Sequence, residues 1–259
     1  MKTHISNFNK YRFLLFELVK KDIKLKYRRS YLGIMWTLLE PLLTTVVLTL
    51  IFGIIFERSN DPTFPVYILS GRLIYSFFAE STKAAMRSIR KNAGMIKKVY
   101  VPKYIYPLAS VISTYVIFLL SLIVLAGAIL FFRVDITIYL LQMIIPLTIL
   151  FIMALGTGLI LSTLAVFFRD LEYLWGVLLM LIMYGCAIFY PVDGKNAMLL
   201  PYLKLNPLFA IIYNFRNAIL DHQVLDTFTL VYSFSFSVVT LIVGLFIFYK
   251  NQDKFILNI

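Results

Sequence analysis

Residues Lys20–Pro41 read KKDIKLKYRRSYLGIMWTLLEP. A dense cationic segment runs through Leu32-Gly33 into an apolar stretch that carries Glu40-Pro41 inside it. A helix lying on a membrane surface and handing over to a helix that crosses the membrane has this pattern. The reading of the whole chain as an integral membrane protein, and as a conduit rather than an enzyme, starts here.

Composition agrees. Of 259 residues, 61% are hydrophobic and only 15% charged, more apolar surface than a soluble fold of this length can hide. Aromatic residues, at 16%, suit interfacial belts or a lined pore. The net charge of +12 would suggest nucleic acid in a soluble protein. Here the basic residues flank apolar runs, where they set orientation and meet anionic lipid, so no nucleic-acid partner is expected. The single cysteine, Cys186, excludes a disulfide framework, and His4 and His222 stand alone, so no metal site is expected. The first apolar run lies behind a charged segment and is too long for a signal-peptide core.

The fold class read from the pattern is an all-α integral membrane protein with six crossings. They cover Ile34–Phe56, Phe64–Lys83, Tyr104–Phe132, Ile138–Phe168, Leu171–Val192 and Phe228–Tyr249. Most reach the roughly 20 residues a hydrocarbon core of about 30 Å requires. With alternating loops, nineteen Lys/Arg fall on one side and five on the other, with Arg72 inside a span. The positive-inside bias then puts both termini in the cytoplasm.

Residues 1–33 are expected to form an amphipathic interface helix, with 34–259 as the transmembrane domain. Tyr11, Leu14, Leu15, Leu18, Val19 and Leu25 fall on one side of a helical wheel, and Lys20, Lys21, Lys24 and Arg28 opposite. The loop 83–103 holds seven basic residues and no acid. Its middle, Met86–Tyr100, is long enough for a short helix set at a sharp angle to the spans, a docking element for a cytoplasmic partner. Arg87, Arg90, Lys91, Met95, Lys97 and Lys98 would form its surface. Segment 193–227 carries the apolar runs Ala197–Leu203 and Pro207–Ile212, broken at Asn206-Pro207. Two short re-entrant helices fit it, because irregular backbone at membrane depth needs protein cover.

No phosphate-binding loop, HExxH or GxSxG motif occurs, so the chain is not expected to bind ATP or catalyse hydrolysis. In order along the chain stand KYRRSYLGIMWTLLEP, LSGRLIYSFF (Leu69–Phe78), IKKVYVPKYIYPLA (Ile96–Ala109), VFFRDLEYL (Val166–Leu174), IFYPVD (Ile188–Asp193) and LNPL (Leu205–Leu208). This ordered set resembles the permease subunits of ABC-2 type bacterial polysaccharide exporters, which move O-antigen, teichoic acid and capsular polymers. The likeness covers nearly the whole chain. It departs in the second span, where the family usually reads close to GLIPW and this chain has Gly71-Arg72-Leu73-Ile74-Tyr75. A charge at mid-bilayer costs at least about 2.5 kcal/mol, so Arg72 should face a wet lumen or an acid.

The resemblance implies a homodimer in the bacterial plasma membrane, joined to two cytoplasmic ATPase subunits that hold the ATP and Mg; this chain binds no cofactor. The implied cargo is a glycan on an undecaprenyl-diphosphate lipid. Lys26, Arg28 and Arg29 beside Leu32-Gly33 are the expected entrance for the diphosphate, since guanidinium offers bidentate contacts to phosphate. Trp36, Tyr75, Trp175, Tyr184, Phe189 and Tyr190 are the expected aromatic lining of the sugar path, and Glu40 and Arg72 its intramembrane charges. Three other readings stay open on sequence alone: an exporter of a small hydrophobic molecule or lipid, a membrane enzyme acting on lipid carriers, and a secondary transporter with inverted repeats.

Overall fold

The computed structural model describes residues 2–28, 30–58, 61–99, 101–192 and 198–258, with side chains from Tyr11 onward. It is all-helical among the described residues: α1 (Lys2–Tyr27), α2 (Trp36–Ile55), α3 (Phe64–Lys91), α4 (Ala93–Ile96), α5 (Ile105–Phe131) and α6 (Ile144–Phe167) lead to α7 (Leu171–Tyr184). Then come α8 (Leu200–Leu203), α9 (Pro207–Ile219), α10 (Thr227–Asn251) and α11 (Phe255–Asn258). Among the described residues, four stretches are long and apolar enough to cross a membrane: Gly33–Ile55, Ile105–Phe131, Ile138–Phe167 and Thr227–Asn258.

The α1–α2 handover turns at Gly33, whose φ of +52° is the left-handed region where a Cβ is costly. Pro41 lies inside α2 without breaking it. Its missing N–H leaves the Thr37 carbonyl without its helical donor, and Ser121 Oγ of α5 donates to that carbonyl at 3.1 Å. A neighbouring helix thus supplies the bond that proline removed, which is how proline is tolerated inside an apolar helix.

The expected leader helix forms, but its apolar stripe meets protein rather than lying free. Tyr11, Leu14, Leu15 and Val19 pack with the buried Leu18 against Ile89, Ile105, Phe248 and Phe255. Burying a leucine fully is worth about 2 kcal/mol. Leu25, expected on this stripe, is exposed instead. The stripe is consumed by the cluster before it reaches the last turn, where Lys26 turns inward. Two ion pairs fasten α1 to α3: Lys91 Nζ to Asp22 Oδ1 and Lys26 Nζ to Glu80 Oε2, each 2.7 Å.

Three sequence expectations are corrected. The helix expected to end at Lys83 runs on to Lys91, because Ala85, Met86, Ser88 and Ile89 are buried and continue the packed face. The separate helix expected over Met86–Tyr100 shrinks to the single turn of α4; Tyr100 lies outside the described residues. The helix expected over Leu171–Val192 stops at Tyr184. The chain then turns through Ala187 at φ 46°, and Asn206 Nδ2 donates to Gly185 O at 3.0 Å.

The core sits where α3, α5, α6 and α9 meet the segment after α7. α9 is buried along its length, including Arg216. Asn206 caps it, accepting from Leu208 N, so the break at Asn206-Pro207 forms as read. α6 and α10 meet at glycines: a Cβ on Gly156 would stand 2.5 Å from Leu241 N, and one on Gly244 2.6 Å from Gly156 O. Small residues at such a crossing let helix backbones touch where lipid offers no hydrophobic drive.

Asp226 starts α10, accepting from Phe228 N and Thr229 N, and Lys204 Nζ donates to its Oδ2 at 2.7 Å. The Lys204 hydrogen bond, outweighing partial desolvation, holds this carboxyl below its ordinary value of 3.8. A depressed carboxylate stabilises the fold above that value and ceases to as pH falls through its folded pKa, so the cap is fully effective at neutral pH. Asp226→Ala is expected to cost about 1–2 kcal/mol, a melting shift of roughly 3–6 °C. A Tm unchanged between pH 7 and pH 3 in wild type relative to Asp226→Ala would remove this account.

Candidate functional site

The two intramembrane charges flagged in the sequence share one crevice. It is bounded by α2, α3 and α5, with the end of α1 at its mouth, and holds about 520 Å³ of empty space including the open mouth. Glu40 and Thr44 come from α2, Arg72 and Glu80 from α3, Ser121 from α5, and Lys26 from α1. Arg72 Nε donates to Thr44 Oγ1 at 3.1 Å. Thr44 in turn donates to Glu40 O at 2.7 Å, so the hydroxyl relays the arginine to a backbone carbonyl rather than to a carboxylate. Thus Arg72 faces a crevice that mixes charged and hydroxyl side chains with apolar ones, and its first partner is a threonine that the sequence alone did not single out.

Lys26 lies at the mouth, held by Glu80. Desolvation, the largest single influence, pulls the ammonium down, but the charge and hydrogen bond of Glu80, with smaller contributions from Tyr27 and Glu40, raise its pKa above the ordinary 10.5. Lys26 also lines a second cavity with Leu25, Arg28 and Ser30. Lys26, Arg28, Leu32 and Gly33 therefore cluster around the α1–α2 handover, while Arg29 lies outside the described residues. Tyr31, Leu32, Ile34, Met35 and Trp36 form an exposed apolar collar beside the mouth.

The six aromatics divide. Trp36 and Tyr184 are exposed on α2 and α7. Tyr75 donates to Leu179 O at 2.9 Å and Trp175 Nε1 to Thr82 Oγ1 at 3.1 Å, so both tie α3 to α7. Phe189 is buried and stacks on Phe52 with centroids 4.9 Å apart. Tyr190, half-buried, donates to Tyr184 O. Buried polar tips of Tyr and Trp find partners, and these found theirs within the chain.

Of the basic residues after the second span, Arg87 and Arg90 both pair with Glu172 at the start of α7, and Lys91 with Asp22. Met95 packs half-buried on the α1 cluster. Lys97 and Lys98 are exposed. The acids Asp22, Glu80 and Glu172 were the partners sequence reasoning missed. Glu80, the sole acid in the second apolar run, carried a visible signal.

A second unforeseen residue is Arg216. Its Nη1 donates to Ala187 O at 2.9 Å, its Nη2 to Tyr67 O at 2.9 Å and Ile188 O at 3.3 Å, and its guanidinium lies 3.5 Å from the Tyr67 ring centroid. Gly71 makes room for it, since a Cβ there would meet Nη2 at 2.5 Å. Arg216 closes the carbonyls that the irregular segment after α7 leaves without helical donors.

The chain is similar along nearly its full length to curated permeases. It is 28% identical over 248 residues, 95% of each chain, to the O-antigen export system permease protein RfbA of Myxococcus xanthus. It is 30% identical over 244 residues, 93% of each chain, to the protein of that name from Klebsiella pneumoniae. With the polysialic acid transport protein KpsM of Escherichia coli it shares 26% identity, covering 96% of this chain and 97% of that one. Residues 14–220 match the family model described as ABC-2 type transporter. The resemblance carried by the ordered motifs holds, and the chain belongs to the ABC-2 type transporter family.

Proposed function

We propose that this chain is the membrane-spanning permease subunit of an ATP-driven exporter that carries a lipid-linked polysaccharide from the cytoplasm across the bacterial plasma membrane. The observation that carries this reading is similarity over more than nine-tenths of the chain to O-antigen and polysialic acid permeases. ATP and Mg sit on a separate ATPase subunit, two copies of which serve a permease homodimer.

In this reading α3 is the second crossing, and α7 with the chain to Val192 is the fifth, giving six. At about 1.5 Å per residue, the 14 residues of α7 span only about 21 Å, so the irregular segment completes the passage. The basic excess at the α1 end supports cytoplasmic termini. The exposed apolar faces of α2 and α7, including Trp36 and Tyr184, support a second copy packed there with the glycan path between. Exposed Lys97 and Lys98 are offered to the ATPase, and α8 and α9 form the re-entrant pair. Lys26 and Arg28 receive the undecaprenyl diphosphate at the handover.

Depletion of the protein in its native host tests the reading. Lipid-linked glycan is expected to accumulate on the cytoplasmic side while surface polymer falls. Normal surface glycan with no internal build-up would replace this cargo with a small hydrophobic molecule.

A further inference from the structure

The geometry points to the crevice among α1, α2, α3 and α5 as a binding site for the oxyanion of a lipid-borne ligand, held by the Arg72 guanidinium. It deepens the export reading and rests on it for the cytoplasmic position of the mouth.

Arg72 has five N–H donors and spends one, Nε–H, on Thr44. Among the described residues no other protein acceptor takes the remaining four, and no carboxylate oxygen lies within 4.0 Å of it. Of the hydroxyls lining the crevice, Ser76 and Tyr27 can add single donors beside the guanidinium, but four others are already committed. Thr37, Thr44, Thr114 and Ser121 all donate to backbone carbonyls, leaving only lone pairs toward the cavity. Lys26 and Glu80 neutralise one another. The free donor fork in the crevice is therefore that of Arg72, shaped for two oxygens of a phosphate or carboxylate. An unspent guanidinium in an apolar helix bundle is costly, and an oxyanion removes that cost.

The mouth indicates a lipid-borne source. Arg72 and Glu80 are eight residues apart on α3, so the fork lies about 12 Å below the mouth. Outside stand Arg28 in the adjoining cavity and the exposed apolar collar of Leu32, Ile34, Met35 and Trp36. A headgroup can enter past Lys26 while its hydrocarbon chain lies on the collar. Lys26 shifts from Glu80 to the incoming anion, so the same pair closes the empty crevice and opens for the ligand.

The test uses the permease with its ATPase partner in phosphatidylcholine nanodiscs, titrated with undecaprenyl phosphate as probe. Arg72→Gln, whose amide retains a donor for Thr44, is expected to weaken binding at least tenfold, and Arg72→Lys by less. Glu40→Gln is expected to tighten it a few-fold, which a merely structural Arg72 would not produce. Phosphatidylglycerol added in competition separates the sources: displacement assigns the site to bilayer phospholipid headgroups, and its failure assigns it to the prenyl-linked ligand. Wild-type affinity in both Arg72→Gln and Glu40→Gln overturns the site. That result would leave export itself untouched, since the depletion experiment reads export independently.

Discussion

Arg216→Ala is expected to be the most damaging single substitution in this protein. It removes the Arg216 hydrogen bonds to the carbonyls of Tyr67, Ala187 and Ile188 and the cation from the Tyr67 ring; Tyr67 O keeps Ser70 Oγ and Ala187 O keeps the Tyr67 hydroxyl, so the loss falls hardest on Ile188 O. Hydrogen bonds to a charged group are worth about 1.5–3 kcal/mol each, and a buried acceptor left alone, as Ile188 O would be, is worse than an absent one. The loss is on the order of 4 kcal/mol, a fall of about 10 °C or more in the melting midpoint of the detergent-solubilised protein. Arg216→Lys should recover part of it, because an ammonium reaches one or two carbonyls but not the fork of three. A midpoint within about 2 °C of wild type for the alanine variant would mean that water or another donor serves those carbonyls.

The second large effect is expected at the glycine crossing of α6 and α10. Gly156→Ile must push a side chain through the α10 backbone at Leu241, and Gly244→Ala sets a methyl on the carbonyl of Gly156. Neither obstacle is a flexible side-chain end, so the helices must separate, at a cost of about 3 kcal/mol or more. Gly176→Ala is the control: nothing lies within 4 Å of a Cβ there, and helix propensity favours alanine by about 1 kcal/mol. Folded yield after membrane extraction should fall sharply for the first two and hold or rise for the third. Equal yields for all three would mean that α6 and α10 do not meet in this way.

Much of the fold was legible because spans in lipid are read by length and apolarity, and these are properties of consecutive residues. The helices over Trp36–Ile55, Ile105–Phe131, Ile144–Phe167 and Thr227–Asn251 fall where the runs do. The break at Asn206-Pro207 was equally local, since an asparagine cap followed by proline is a complete helix start. What escaped was set across the fold. Near Tyr184 only Gly185, the residue at the helix end, signals a stop inside an apolar run; the stop is held by Arg216 and Asn206, more than twenty residues further on. The persistence of α3 to Lys91 follows from packing of Met86 with Leu161 and Ala165 of α6 and of Ile89 in the cluster with Ile105 and Ala109 of α5, which no window of charges reports.

The candidate site was legible in the same measure. Glu40 and Arg72 were visible as charges out of place, but that they share a crevice depends on how α2 lies against α3. Arg87 and Arg90 read as free surface from a loop with no acid of its own, whereas Glu172 reaches them from a different span.

One asymmetry in burial has a mechanical consequence. In this chain α3, α6 and α9 are clamped on several sides, while α2 buries only Thr37, Thr45 and Gly53, and α7 only Leu179. Elements with few buried contacts sit at the low end of the local stability scale and move at least cost. Within one copy the bundle therefore divides into a frame of α3, α5, α6, α9 and α10 and two lightly seated levers, α2 and α7, whose exposed faces are those proposed to meet a second copy. The Glu172 pairs tie the base of one lever to the far end of α3, and the Lys26–Glu80 pair ties the base of the other through α1. Both levers are thus anchored by ion pairs to the same end of α3, on a frame whose α6–α10 crossing is locked by glycines.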